Sequence, residues 1–391
     1  MPAYDSLAHP VRSIPGDPDT DSPEDGIALC LSGGGYRAML FHTGALWRLN
    51  ELGYLKQLKR ISSVSGGSIA AGVLALAWKE LEFDDKDVAQ RFPELVADKL
   101  IELAGHTIDV ESVLVGMALP GQSISERVAH AYRKLLYGHA TLQDLPPDPA
   151  PTFVLNSTSL QTGVLWRFSR DYMADYLVGR IDNPDFPLAE AVAASSAFPP
   201  LLSPSIHDVS GYQFVDGSGH DPTLGQPPYT TKLVLSDGGV YDNLGLETAW
   251  KRCKTILVSD GGGQMPPMPE PPSDWARLSV RVMKTIDNQV RSLRKQQVIE
   301  GYKSGLRTGT YWGIRSHMAD YPAPSELEFD QTATDALSGY PTRLGAVDPE
   351  MRNRLVNWGY AICDAAIRSH MDTAGSFPAP DFPREGGVTG G

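Results

Sequence analysis

The chain has 391 residues, with 34 Lys and Arg against 47 Asp and Glu, giving a formal net charge of −13. That balance excludes a general nucleic-acid binder, which needs concentrated cationic side chains to neutralise phosphate. It also removes long-range attraction to anionic bilayers. Gly (38) and Pro (31) exceed an ordinary globular composition, so either disordered ends or special backbone sites must account for them. Cys30, Cys253 and Cys363 are far apart, odd in number and lack Cys-x-x-Cys spacing. They read as reduced thiols of a cytoplasmic protein.

Residues 1–24, rich in Pro, Asp and Ser and without an apolar signal-peptide core, read as an extended leader. Gly26–Leu31 is expected to be a strand, Ala38–Leu52 an amphipathic helix, Leu58–Val64 a second strand and Ser68–Leu81 a buried helix. The uncharged stretch Ile61–Trp78 nears membrane-spanning length, but Ser62, Ser63, Ser65, Ser68, Gly66, Gly67 and Gly72 interrupt it. A strand leading into a buried helix accounts for it, and no transmembrane segment is expected. The apolar run Val113–Pro120 is taken as a core segment, with a lid or interfacial contact as the alternative. Thr152–Thr158 and Val164–Phe168 suggest a hairpin. Lys232–Leu235 and Thr255–Val258 are short strands flanking a helix from Asp242 to Lys251. Two helices, Asp274–Val298 and Pro349–His370, lie near the end, and residues 372–391 read as a flexible tail. Strand–helix–strand alternation favours a parallel sheet covered by helices, in one domain spanning residues 25–371.

Two glycine-rich turns carry the chemistry. Ser32-Gly33-Gly34-Gly35-Tyr36-Arg37-Ala38 joins the first strand to the first helix and fits a dinucleotide fingerprint literally. Backbone N–H groups in such a turn, with a helix dipole behind them, stabilise either a pyrophosphate or a tetrahedral oxyanion. A nicotinamide site wants Asp or Glu at the end of the next strand. Here that strand runs into Ser63-Val64-Ser65-Gly66-Gly67-Ser68 instead. A serine on a sharp strand-to-helix turn presents its hydroxyl at the sheet's carboxyl edge. Ser65 falls one βαβ unit after the glycine triplet, so a nucleophile and oxyanion donors would share one edge. Ser63 stands where the usual elbow has its first Gly.

A serine nucleophile needs a proton acceptor. Three Asp-Gly pairs follow short apolar runs: Asp216-Gly217, Asp237-Gly238-Gly239 and Asp260-Gly261-Gly262. Asp237 is singled out because its run reads as a buried strand and a helix follows it. A Ser-His-Asp esterase using His317 or His370 is an alternative, as is a nucleotide-responsive effector whose glycine turn holds phosphate.

With these three elements in order, the chain resembles the patatin-like phospholipase family over about residues 26–260. Gly33-Gly34-Gly35-Tyr36-Arg37-Ala38, the Ser65 elbow, Asp237-Gly238-Gly239 and the small-residue segment Ala194-Ser195-Ser196-Ala197-Phe198-Pro199-Pro200 carry the resemblance. It implies a three-layer α/β/α sandwich with a mainly parallel central sheet and hydrolysis of lipid acyl esters by a Ser–Asp dyad without metal or cofactor. It further implies that Ser65 attacks, Asp237 takes the proton, the turn of Gly33, Gly34 and Gly35 holds the oxyanion, and Arg37 supports that turn. The implied partner is a lipid or ester substrate in the cytoplasm, with room for peripheral contact at a membrane surface.

The helix from Asp274 carries Trp275, Leu278, Val282, Ile286, Val290 and Leu293 on one face and Arg277, Arg281, Lys284, Arg291, Arg294 and Lys295 on the other. The preferred reading is a surface helix with its apolar face on the core and its basic face solvated. A bilayer-facing amphipathic helix is the alternative.

Overall fold

Successive side chains of the first strand, β1 (Glu24–Leu31), point to opposite faces of the sheet, and both faces are buried. Leu29 and Leu31 enter a large apolar cluster, while Ala28 and Cys30 enter a smaller one. A strand buried on both sides needs a helical layer on each. The computed structural model describes residues 23–108, 124–216, 222–263, 265–371 and 377–388. The apolar run Val113–Pro120 lies outside the described residues.

In chain order, the elements after β1 are α1 (Gly35–Glu51), β2 (Leu58–Val64), α2 (Gly66–Ala77), α3 (Asp98–Leu103), α4 (Ile124–Tyr132), β3 (Thr152–Ser159), β4 (Leu165–Phe168), β5 (Tyr172–Asp175) and β6 (Gly179–Asp182). Then come α5 (Leu188–Ser195), β7 (Ser205–Asp208), β8 (Val215–Asp216), β9 (Lys232–Asp237), α6 (Gly239–Asp242), α7 (Leu246–Trp250), β10 (Cys253–Asp260), α8 (Trp275–Lys303), β11 (Thr308–Gly313), α9 (Gln331–Ser338) and α10 (Pro349–His370). The sheet order is β11-β10-β1-β2-β3-β4-β5-β6-β8, with β9 pairing β3 and β7. The five strands from β11 to β3 are parallel, and an antiparallel extension continues from β4 to β8. This is the expected α/β/α arrangement, with the parallel strands on the β11 side of the sheet and the antiparallel ones on the other.

On one face α1 packs against α10 at close range, because Gly44 and Gly359 carry no side chain: a Cβ on either would overlap a backbone carbonyl of the other helix. On the other face Leu246 and Ala249 of α7 and Val298 of α8 cover Ala28, Cys30, Ile256 and Val258. The single helix expected over Asp242–Lys251 is two short ones. Gly245 adopts φ 68, and the Asp242 carboxylate accepts from the N–H groups of Leu244 and Glu247, which fixes the break. The helices expected from Ala38 and Ser68 start earlier, at Gly35 and Gly66, directly on the glycine turns.

Residues 377–388, within the segment expected to be a flexible tail, pack on the domain. Val388 is buried and bridges Phe329, and the Arg384 carbonyl accepts from the Asn357 amide. The fully buried Arg48 of α1 donates to Asp364 at 2.8 Å and to the Pro378 carbonyl at 2.7 Å. Among the described residues, no helix is long and apolar enough to cross a membrane.

Candidate active site

Sheet register brings the glycine turn, Ser65 and Asp237 to one level. Leu31 of β1 pairs with Ser63 of β2, so Gly33 arrives opposite Ser65. Val64 pairs with Asn156 of β3, and the next β3 residue, Ser157, pairs with Asp237. Strand β9 therefore abuts the end of β2, and residues more than 170 positions apart in sequence meet there, roughly one residue spacing from each other.

Ser65 has φ 52 and ψ −119, a left-handed conformation rare for a residue with a side chain. Such backbone strain persists only where the surroundings over-determine it, and it is typical of a nucleophile held on a strand-to-helix elbow. Several contacts enforce it. The Ser65 N–H donates to Ser195 Oγ at 3.0 Å, and Ser195 Oγ in turn donates to the Asn156 carbonyl at 2.6 Å. Ser68 Oγ lies 2.9 Å from Ser195 Oγ and 3.0 Å from Ser63 Oγ. The hydroxyl of Ser63, which replaces the elbow's usual glycine hydrogen, is thus absorbed into a buried network that also reaches the Val154 carbonyl. Gly66 is required by close approach, since a Cβ there would overlap the carbonyl of Gly35.

The Ser65 side chain, 8% exposed, is set against the carboxylate of Asp237, which is 2% exposed. Burial pushes the Asp237 carboxyl up to about 7. The Gly239 N–H, donating to Oδ1 at 2.7 Å, and the Ser65 hydroxyl oppose that rise, while Asp287 adds to it. A carboxylate poised near neutrality beside a serine hydroxyl is suited to accept its proton. Asp237 is fixed through its backbone as well, its N–H donating to the Ala197 carbonyl and its carbonyl accepting from Thr158.

The glycine turn has a divided use. The Gly33 N–H donates to the Asn243 carbonyl at 3.0 Å, and a Cβ at Gly33 would overlap Asn243 Oδ1 and lie 3.2 Å from Ser65 Cβ. Gly33 therefore supplies room beside the serine. Among the described residues, no hydrogen bond engages the N–H groups of Gly34 (φ 148) and Gly35 (φ 60). Tyr36 N–H is taken by the Arg343 carbonyl, whose oxygen would lie 2.6 Å from a Cβ on Gly35. Arg37 is buried and points away from the serine: its Nε donates to Gly261 at 3.1 Å and its Nη1 to the Tyr340 carbonyl. Burial, with Arg291 nearby, lowers its pKa to about 10. It ties the first turn of α1 to the loop after β10, which is a positioning role.

The other candidates lie elsewhere. Asp260 is held by Arg291 at 3.4 Å, by the Tyr311 hydroxyl at 2.8 Å and by the Gly262 N–H at 2.9 Å. Burial pushes its pKa up, but these partners hold it below the usual carboxylate value. The backbone of Asp216 pairs with Gly179 at the antiparallel end of the sheet. His317 is half exposed and faces Asp335, and His370 packs against Tyr321 at the end of α10. Neither contacts Ser65. His42 is buried with both ring nitrogens engaged, by Ser259 and by the Ser32 carbonyl, and burial lowers its pKa to about 4. Among the described residues, no three His, Cys, Asp or Glu side chains cluster as metal ligands.

A sequence model described as "Patatin-like phospholipase" matches residues 29–250, more than half of the chain. The chain belongs to the patatin-like phospholipase family. Among solved structures, human GIVD cytosolic phospholipase A2 aligns at 13% identity with a TM-score of 0.51, covering 87% of this chain and 58% of that one. VipD from Legionella pneumophila aligns at 15% identity with a TM-score of 0.36, covering 88% and 67%. The likeness to the human enzyme is one of fold, and this chain spans under two thirds of its length. No curated protein matches the sequence. Family membership accounts for β1 through α7, whereas α8 to α10 fall outside the matched residues.

Sequence reasoning passed over Ser195 as a hydrogen-bonding residue, together with Asn156 and Asn243. The cue for Ser195 lies in the small-residue segment before Pro199. Asn243, wedged between Gly33 and Gly239, has no local signal at all.

Proposed function

We propose that this patatin-like protein hydrolyses carboxylic esters of lipids through Ser65 and Asp237. The carrying observation is the Ser65 hydroxyl, on a left-handed elbow, set against a buried carboxylate poised near neutral pH. Asp237 takes the hydroxyl proton as Ser65 Oγ bonds to the carbonyl carbon, and the unengaged N–H groups of Gly34 and Gly35 receive the oxyanion. When the tetrahedral species collapses, the C–O bond to the alcohol breaks and Asp237 returns the proton to that oxygen. Water then attacks the acyl-serine with Asp237 again accepting the proton, which releases the acid and restores Ser65. Arg37 keeps α1, and with it the donors, in register with the loop after β10. A nucleotide-responsive role finds less support, because Ser65 occupies the strand end where a ribose-binding carboxylate would stand.

An alkyl fluorophosphonate probe tests the reading. It is expected to label wild-type protein at Ser65 and not to label Ser65→Ala. Hydrolysis of a soluble butyrate ester should fall by roughly 10⁴–10⁶ in Ser65→Ala, while His317→Ala and His370→Ala retain it. Labelling at another residue, or loss of activity on removing either histidine, would show the assignment to be wrong.

A further inference from the structure

Helix α8 departs from the orientation preferred from its sequence, because its apolar stripe is exposed as well as much of its basic face. Two of its basic side chains turn inward, Arg291 meeting Asp260 and Arg294 meeting Glu247 at 3.0 Å, while Lys295 lies 4.4 Å over the Tyr311 ring and, like Arg277 and Lys284, stays exposed. Its apolar side chains turn outward. Trp275 is 82% exposed, Val282 49% and Ile286 60%, and of the whole helix only Val298 and Gly301 are buried. At this end of the helix the pull is electrostatic, because acidic groups at the end of β10 and on α7 take up Arg291 and Arg294. Uncovered apolar faces of this kind mark interaction sites on soluble folds.

The outward stripe is continuous with a cavity of about 480 Å³, bounded by Leu278, Val282 and Ile286 on one side and by Phe198, Pro199 and Val240 on the other. Val240 follows the Asp237-Gly238-Gly239 turn, and Phe198 follows Ala197, whose carbonyl accepts the Asp237 N–H. The cavity therefore runs from the exposed face of α8 to the chain neighbours of Ala197 and Gly239, which hold the proposed base. A cavity of this volume is in the range that accommodates a small-molecule ligand.

We infer that the Trp275–Ile286 face of α8 seats the protein on the surface of a zwitterionic lipid aggregate, so that an acyl chain passes into this cavity without crossing water. The inference rests on the ester-hydrolase reading for its purpose but not for its measurement. Apolar side chains flanked by an indole drive such docking by burial at the headgroup boundary. Electrostatic attraction is opposed by the net charge of −13: of the helix's cations Arg291 and Arg294 are paired inside, Arg277 is paired with Asp274, and Lys284 and Lys295 are exposed. The occupant is thus a neutral surface; anionic lipid adds repulsion. The face lies on α8, beyond the residues that match the family, so it belongs to this chain's own C-terminal part.

The test is flotation of full-length Ser65→Ala protein with phosphatidylcholine vesicles, a background in which no product forms. Binding is expected, unchanged by salt and no stronger when phosphatidylserine is mixed in. Adding Trp275→Ala, Val282→Ser and Ile286→Ser together should weaken it on the order of a hundredfold, with the far-UV spectrum and melting temperature retained. Undiminished binding of that variant would overturn the inference. So would binding that requires phosphatidylserine and disappears in high salt, or a dimer in solution that the triple substitution dissolves while vesicle binding persists. Wild-type turnover of the soluble butyrate ester is measured alongside. If it fails while flotation holds, the Ser65–Asp237 chemistry is at fault; if it holds while flotation fails, the docking face is.

Discussion

Replacing Asp237 by Asn should abolish activity and at the same time stabilise the protein at alkaline pH. The substitution keeps the shape of the side chain and an oxygen able to accept from the Gly239 N–H, and it removes only the charge. Burial raises the Asp237 carboxyl from 3.8 to about 7. A group whose folded pKa exceeds its unfolded one contributes stability that is fully present below the unfolded value and lost as pH rises through the folded one. A gap of roughly three pH units corresponds to about 4 kcal/mol, of which about 3 is lost between pH 5 and pH 8. Urea denaturation of both proteins at pH 5, 6.5 and 8 measures it as a difference, which cancels Asp175, Asp242 and Asp287, whose carboxyls burial also raises. The wild type should lose stability relative to Asp237→Asn across that range. In parallel, kcat/KM of the wild type toward a soluble ester should climb about tenfold per pH unit and level off above 7, because the base works only when ionised. Hydrolysis at wild-type rates by the Asn variant, or parallel stability curves for the two proteins, would refute the reasoning.

Two further substitutions probe the elbow. Gly66→Ala drives a Cβ into the Gly35 carbonyl, so backbone must shift in both the elbow and the oxyanion turn. We expect a loss of about 1–3 kcal/mol in thermal unfolding and a fall of about 10²–10³ in kcat as the donors leave their alignment. Ser195→Ala leaves the Ser65 N–H without its acceptor in a buried site. Unfolding should become easier by about 1–3 kcal/mol, with kcat lowered and KM unchanged, since Ser195 positions the nucleophile and does not touch substrate.

What the sequence discloses about this site is local, and what it conceals is tertiary. Ser65 and Asp237 can be found because a strand-to-helix turn with small neighbours leaves a motif within six residues. The order of glycine turn, elbow and Asp-Gly-Gly is also enough to place the fold. That Gly33 differs from Gly34 and Gly35 cannot be read from a triplet: it depends on the carbonyl of Asn243, some 200 residues away, meeting one N–H and not the others. Ser195 is one of two serines in its segment until the fold brings it under the elbow, against the Asn156 carbonyl of β3 and the Ser65 N–H. For α8, periodicity gives two faces but not which one turns inward. Hydrophobic burial alone would turn the apolar face in, and it is the acidic residues Asp260, Asp242 and Glu247, on other elements, that draw Arg291 and Arg294 inward instead.

Arg48 has a consequence for the order in which the protein is made. It lies on the helix that grows out of the glycine turn, yet its acceptors Asp364 and Pro378 come 316 and 330 residues later. A growing chain exposes the serine elbow early, before the strand bearing its base has been synthesised and long before the guanidinium beneath α1 can be satisfied. A buried cation lacking those partners is strongly destabilising, so α1 cannot settle onto α10 until residues 364 and 378 have been made. On the proposed chemistry, a chain made only as far as Asp237 holds both reacting residues but not the distant partners of Arg48 on the helix behind its glycine turn.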